Sequence, residues 1–246
     1  MKLLAFSLMA TTSLTTVQAK TNDKKTFEQA IQELTKQSVI VQSVNDTPLK
    51  DIKEVVIKSG PASQIVYMSE NGEYLLEGKL MDLKSRKNLT EQTENSLRHE
   101  LIEDYLKNNK SIDFLPENMT DHITVFTDID CGFCRKLHQE VEKFNDMGIG
   151  VSYLFFPRAG LNTSSFQKAV NVWCATDQQK AMTQAKNGQE LPPMMCPNPI
   201  ESQYSLGIGA GIHKIGTPAV VLTDGSITGY LQADSMKQKI EQAKIK

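Results

Sequence analysis

Apolar positions fall on different periods in the two parts of this chain, and that change outlines its organisation. From residue 21 to about residue 78 they come in short runs. A helix is predicted around residues 27–34, followed by strands at 54–58, 65–69 and 74–81. Asn71-Gly72 between the last two is a hairpin signal, because both residues tolerate positive φ. The result is a small cysteine-free sheet that buries little of its surface alone, and a second copy of itself is the simplest cover. Residues 90–109 then carry Leu97, Leu101, Ile102 and Leu106 on helical spacing amid Glu, Gln and Lys, which predicts a mostly solvated connecting helix.

Beyond it the pattern turns to longer apolar blocks. A strand at 123–127 leads through Cys131-Gly132-Phe133-Cys134 into a helix running to about Met147, closed by Gly148, and then a strand at 151–156 closed by Pro157. Two strands joined by a helix imply a parallel βαβ unit with a right-handed crossover. A largely helical stretch spans about 164–215. It is followed by a strand at 219–222, an Asp224-Gly225 turn, a strand at 226–231 and a closing helix from about Ser235. Without the helical stretch the order is β-α-β, then β-β-α.

The N-terminus reads as a secretory signal: Met1-Lys2, an apolar run over 3–10, and small residues at Val17-Gln18-Ala19, with cleavage expected after Ala19. The run is far short of the roughly 20 residues that cross a bilayer, so no membrane insertion is expected. A chain of 246 residues cut there still suffices for one large domain or two smaller ones. No cysteine directly follows the cleavage site, which argues against a lipid anchor. Net charge is -2 with charges well mixed, so neither nucleic acid nor an anionic surface is an expected partner.

Four cysteines in an exported chain meet an oxidising compartment, and an even count permits two bridges. Cys131 and Cys134 lie where a strand turns into a helix, and the helix N-terminus favours a thiolate, the form that attacks disulfides or binds metals. A c-type haem would need His after the second cysteine, where Arg135 stands. Zinc would need two further ligands at compact spacing, whereas Cys174 and Cys196 form no second CxxC. An inert bridge across so few residues would remove little chain entropy. Redox catalysis is the favoured reading, without metal or cofactor: Cys131, nearer the surface, attacks and Cys134, turned inward, resolves. Arg135 and Lys136 favour the thiolate; Asp128 and Asp130 oppose it, so the net shift has no sign from sequence alone. His138, one turn after Cys134, is expected to be a surface residue, with a proton shuttle as the alternative. Pro218 in Gly216-Thr217-Pro218 marks a strand start. Bridging Cys174 to Cys196 would close a loop of about 22 residues, worth roughly 3 kcal/mol, and the pair reads as structural.

Taken together, the run at 123–128, Cys131-Gly132-Phe133-Cys134, Lys136-Leu137-His138, Phe156-Pro157-Arg158, Trp173-Cys174-Ala175 and the run at 216–222 resemble the DsbC/DsbG family of bacterial periplasmic thiol:disulfide interchange proteins. The resemblance covers the catalytic part closely and the N-terminal part in layout. It implies a mixed α+β and α/β architecture: a signal peptide at 1–19, an N-terminal dimerisation domain at 20–87, a linker helix at 88–112, and a thioredoxin fold at 113–246 with a helical insertion at about 160–215. It also implies a V-shaped homodimer, a cis Pro218 facing the thiols, and Thr217, Pro218, Gly132 and Phe133 as contacts to substrate. A permanent Cys174–Cys196 bridge, a DsbD-type membrane reductase as electron donor, and misfolded disulfide-containing exported proteins as clients complete the implied picture.

The chain departs from the family at named positions. Asp130 precedes the first cysteine where the best-known member has threonine, and a carboxylate there disfavours the thiolate. Phe133 replaces a tyrosine. Six residues before the nucleophile, where thioredoxin carries a buried acid, stands Val125, so proton handling must differ. The expected activity is periplasmic disulfide isomerisation. The alternatives are a DsbG-like reductase of sulfenylated cysteines, against which Gly132-Phe133 speaks, and a dimeric holdase with incidental thiols.

Overall fold

The computed structural model describes residues 12–244, and these divide into two compact units, one ending at Asp82 and one starting at Leu83. The apolar run of the expected signal peptide lies outside the described residues. A helix, α1, spans Thr12–Thr35 and so runs through the expected cleavage position.

In the first unit, β1 (Ile40–Asp46), β2 (Ile52–Ser59), β3 (Ala62–Ser69) and β4 (Leu75–Leu76) form an antiparallel sheet in that order; β5 (Met81–Asp82) follows. Strand pleating sends alternate side chains to opposite faces. Val55, Ile57, Val66 and Met68 thus meet Phe27 and Ile31 of α1 in one core, while Val56, Ile65 and Tyr67 are buried on the other face. β1 was not predicted. A bulge between Val41 and Ser43 shifts its register and breaks the alternation that reveals a strand. Where the sequence predicts a strand over 74–81, only Leu75 and Leu76 pair, with Met68 and Tyr67. Glu77-Gly78-Lys79 beyond them offers no apolar side chain to either face.

The second unit begins with β6 (Lys87–Asn88) and α2 (Leu89–Asn108), capped by Asn88, whose side chain accepts from the Glu91 N–H. Then come β7 (Ile112–Phe114), β8 (Asp121–Thr127), α3 (Gly132–Gln139), α4 (Val141–Asp146), β9 (Ile149–Phe155), α5 (Ser164–Trp173), α6 (Gln178–Lys186) and α7 (Ile200–Gly209). A 3-10 turn at Ile212–Lys214, β10 (Ala219–Val221), β11 (Ile227–Thr228) and α8 (Ala233–Lys244) close the chain. The five-stranded sheet runs β11-β10-β8-β9-β7, with β8 and β9 parallel and the other neighbours antiparallel.

This sheet is buried on both faces, which is why β9 is inaccessible along its whole length. Val125, Val151, Tyr153 and Val220 face one core with α3, α4, α5, α6 and α8; Phe126, Leu154, Phe156 and Val221 face another with α2 and α7. The connecting helix α2 is therefore solvated on one side only. Ile102 is buried in the second core, and Arg98 donates to the carbonyls of Ala210 at 2.9 Å and Gly225 at 2.6 Å. Gly225 permits this approach: a Cβ there would fall 1.9 Å from the Asn95 carbonyl oxygen.

The single helix expected from the CxxC to Met147 breaks at Glu140, which ends α3 and precedes α4 at φ -100, ψ 4. Its carboxylate accepts from the Tyr230 hydroxyl at 2.5 Å and from the Ala233 N–H at 2.9 Å, capping α8. Gly148, at φ 76, closes α4 as predicted.

Candidate active site

Cys131 is the N-cap of α3: its backbone is extended, and its sulfur accepts from the Cys134 N–H at 3.3 Å. On its other side, Sγ lies 3.1 Å from the Thr217 carbonyl oxygen, to which the thiol donates. The Thr217-Pro218 peptide is cis. Both thiols are free, and both are buried, Cys131 at 2 % and Cys134 at 1 % exposure. Cys131, expected nearer the surface, is thus almost as inaccessible as Cys134, because the loop at 216–218 comes down against the first sulfur. What separates the two is electrostatic.

The Cys134 thiol donates toward the Cys131 sulfur, and this, with the Thr217 side-chain hydroxyl, the Cys134 amide and the Arg158 charge, outweighs burial and lowers Cys131 to about 5. Burial and that same donated hydrogen bond push Cys134 far upward. One thiol is an anion at neutral pH and its neighbour remains an acid.

The acidic residues nearby are already engaged. Burial would raise Asp128, but its carboxylate accepts from the Arg158 and Asp130 N–H groups, each at 2.8 Å, and from Ser165 Oγ at 2.7 Å, and faces the Arg158 guanidinium. It is held below its ordinary value. Asp130 meets Lys168 Nζ at 2.6 Å and Arg135 at 3.7 Å, so the charge expected to oppose the thiolate is paired away from it.

His138 is not a surface residue. It is buried on α3, with Nδ1 3.1 Å from the Tyr153 hydroxyl and Nε2 3.0 Å from Thr183 Oγ1. Burial and the Lys186 charge lower it to about 4, so it is neutral at physiological pH. Gly132 borders open space, and Phe133 is 58 % exposed beside Tyr230, leaving an accessible apolar surface next to the thiols. Cys174 and Cys196 are bridged, with Cα atoms 5.8 Å apart, and are therefore no ligands for a metal at the CxxC.

Sequence reading missed Lys186. It is 2 % exposed and donates to Thr127 Oγ1 at 2.7 Å and to the Asp128 carbonyl at 2.8 Å, just behind Cys134. Burial lowers it to about 8, against the raising influence of Cys134, Asp128 and Cys131. The signal was present: Ala181, Met182 and Ala185 form the buried stripe of α6, and Lys186 stands one turn after Met182, where that stripe continues.

Two thiols one helical turn apart, one primed as an anion and the other kept as an acid, are suited to attack on a disulfide followed by ring closure. On this fold they define a thioredoxin-like thiol–disulfide oxidoreductase. Residues 109–244 match the thioredoxin-like domain family, and residues 18–91 match the disulfide bond isomerase protein N-terminal domain. The thiol:disulfide interchange protein DsbC of Dickeya dadantii is 34% identical over 223 residues, 90% of this chain and 88% of that protein. Its namesake in Escherichia coli K12 is 32% identical over 219 residues, 86% of each. A crystal structure of a disulfide interchange protein from Neisseria gonorrhoeae is 31% identical, with a TM-score of 0.48, covering 55% of this chain and 95% of that one. The chain belongs to the DsbC family of thiol:disulfide interchange proteins.

Proposed function

We propose that this chain isomerises wrong disulfides in exported proteins of the periplasm, with Cys131 as attacking thiolate and Cys134 as resolving thiol. Cys131 attacks a client disulfide, forming a mixed disulfide and releasing a client thiolate. That thiolate, or another client thiol, then attacks the client sulfur and regenerates Cys131, so the exchange is redox-neutral. When the client stalls, Cys134 displaces it and leaves an oxidised CxxC, which a membrane reductase of the DsbD type returns to the dithiol. The observation that carries this reading is the geometry of the pair: two free thiols at the start of α3, with Cys131 capping the helix beside the cis Thr217-Pro218 peptide, an arrangement that favours Cys131 as the anion. Thr217 and Pro218, beside the Cys131 sulfur, offer backbone for a client strand, and Gly132 and Phe133 form the apolar floor.

The same reading makes the protein a homodimer through its first unit. In support, β4 pairs on one side only, with β3, and Tyr74, Leu76 and Met81 are exposed in this region. Among the described residues no helix is long and apolar enough to cross a membrane.

The test is recovery of activity from a scrambled multi-disulfide protein in a glutathione buffer that keeps the site reduced. Wild type should restore activity and Cys131→Ser should not. Equal recovery by the variant would remove the thiol mechanism and leave a holdase.

A further inference from the structure

Lys186 is a buried ammonium whose hydrogen bonds both go to uncharged oxygens, and it makes no ion pair among the described residues. Such a group is costly to retain for stability alone; an apolar side chain of the same volume would pack there without desolvating a charge. Its position suggests a use. The Thr127 hydroxyl that accepts from Lys186 also faces Cys134, where it favours the ionised sulfur, so ammonium, hydroxyl and thiol are neighbours on the buried side of the site. Val125, six residues before Cys131 and buried in the core, supplies no carboxylate as a proton acceptor.

We propose that Lys186, acting through the Thr127 hydroxyl, takes the proton that Cys134 must lose before it can close the active-site disulfide. This rests on Cys131 and Cys134 being the reacting pair. In the step, Lys186 first gives a proton to solvent and stands as a neutral amine; Cys134 S–H then passes its proton to Thr127 Oγ1 as the Thr127 hydroxyl proton moves to that amine, restoring the ammonium. The Cys134 thiolate attacks the Cys131 sulfur, the Cys131–Cys134 bond forms, and the Cys131–client bond breaks. Its electron pair leaves on the client thiolate, which is protonated by solvent. The client disulfide has then gained two electrons from the enzyme dithiol. Lys186 touches no reacting atom and so acts as a positioning residue for the proton.

The charges facing Lys186 give the step its timing. Cys134 and Cys131 on α3, and Asp128 at the end of β8, favour the ammonium; Arg135 on α3 opposes it; His138, also on α3, is neutral. When Cys131 enters a mixed disulfide its negative charge is gone, and one of the influences holding the proton on Lys186 goes with it. The amine is therefore more readily available as a base when there is a mixed disulfide to resolve.

The experiment mixes reduced full-length protein with excess glutathione disulfide and follows acid-quenched samples by mass spectrometry. A concentration-dependent phase adds glutathione to Cys131, and a concentration-independent phase removes it. In wild type the second phase should speed up with pH through an inflection at or below about pH 8. Lys186→Met should slow it on the order of a hundredfold and remove the inflection, while changing the first phase less than about threefold. Lys186→Arg, which keeps the charge but holds its proton, should restore neither the inflection nor the wild-type rate. An unchanged second phase in Lys186→Met, or full rescue by arginine, overturns the proposal. Should Lys186→Met fail to fold, absence of the inflection in wild type overturns it equally. Absence of a first phase at Cys131 would instead defeat the underlying reading of the pair.

Discussion

The second unit holds two cysteine pairs that differ in almost every physical respect. Cys174 and Cys196 are 22 residues apart in sequence, one ending α5 and the other in the proline-rich loop before α7, and they are bridged. Cys131 and Cys134 are one turn apart and are both free. Burial does not distinguish the reactive pair, because both of its thiols are as buried as core residues. The difference lies in what surrounds each sulfur. Cys131 caps a helix, accepts from the Cys134 N–H and lies against the Thr217 carbonyl, whereas Cys174 and Cys196 consume each other's reactivity in a single bond. Reactivity in this fold is a property of hydrogen-bond donors and fixed charges, and exposure is secondary.

The contrast can be broken most forcefully by alkylation. Iodoacetamide should modify Cys131 with a rate that rises with pH to a half-maximum near 5, because the thiolate is the reactive form and predominates above that pH. Cys134 should stay unmodified, and Cys174 and Cys196 should react only after reduction. A Cys131 midpoint above pH 8 would erase the distinction. Removing the structural bridge tests the other side. Cys174→Ala with Cys196→Ala should lower unfolding stability by about 3 kcal/mol, read by denaturant titration, while the Cys131 alkylation profile stays in place. A shifted profile would mean that the bridge helps to shape the reactive site.

A comparable energy should appear with pH at His138. Its folded value is depressed to about 4, against roughly 6.5 in an unfolded chain, so its contribution to stability is complete above pH 6.5 and is lost as pH falls towards 4, on the order of 3 kcal/mol in all. Denaturation midpoints for wild type and His138→Gln should converge on acidification across that window; parallel curves would show that His138 does not carry the effect. The smallest effect is expected at Asp130. Paired with Lys168 and Arg135, it has little field left to exert, so Asp130→Asn should move the Cys131 midpoint by no more than about half a pH unit. A fall of a full unit would restore its expected role as an opponent of the thiolate.

Much of the second unit could be read along the chain because its signals are local. The parallel βαβ unit, the CxxC at the start of α3 and the stop at Gly148 each depend on residues within a few positions of one another. Features that depend on distant partners were hidden. Glu140 breaks a helix in order to cap α8, more than ninety residues later, and β1 is obscured by its bulge. α2 carries an unremarkable mixed pattern whose inner face is defined only by Phe126, Leu154 and Leu206. His138 looked like a surface histidine because nothing near it in sequence announces Thr183 and Tyr153.

The sequence by itself determined the reaction class, the placing of two thiols at the start of a helix and the alternation of strands and helices, since each follows from residue chemistry and short-range periodicity. Only the tertiary structure decided the sign of the shift at Cys131, that the flanking carboxylates are paired with Arg158, Lys168 and Arg135, and that a lysine on α6 lies behind Cys134. Those outcomes are set by distances between groups far apart in sequence, and electrostatic and hydrogen-bond energies fall off too steeply with distance to be read from order along the chain.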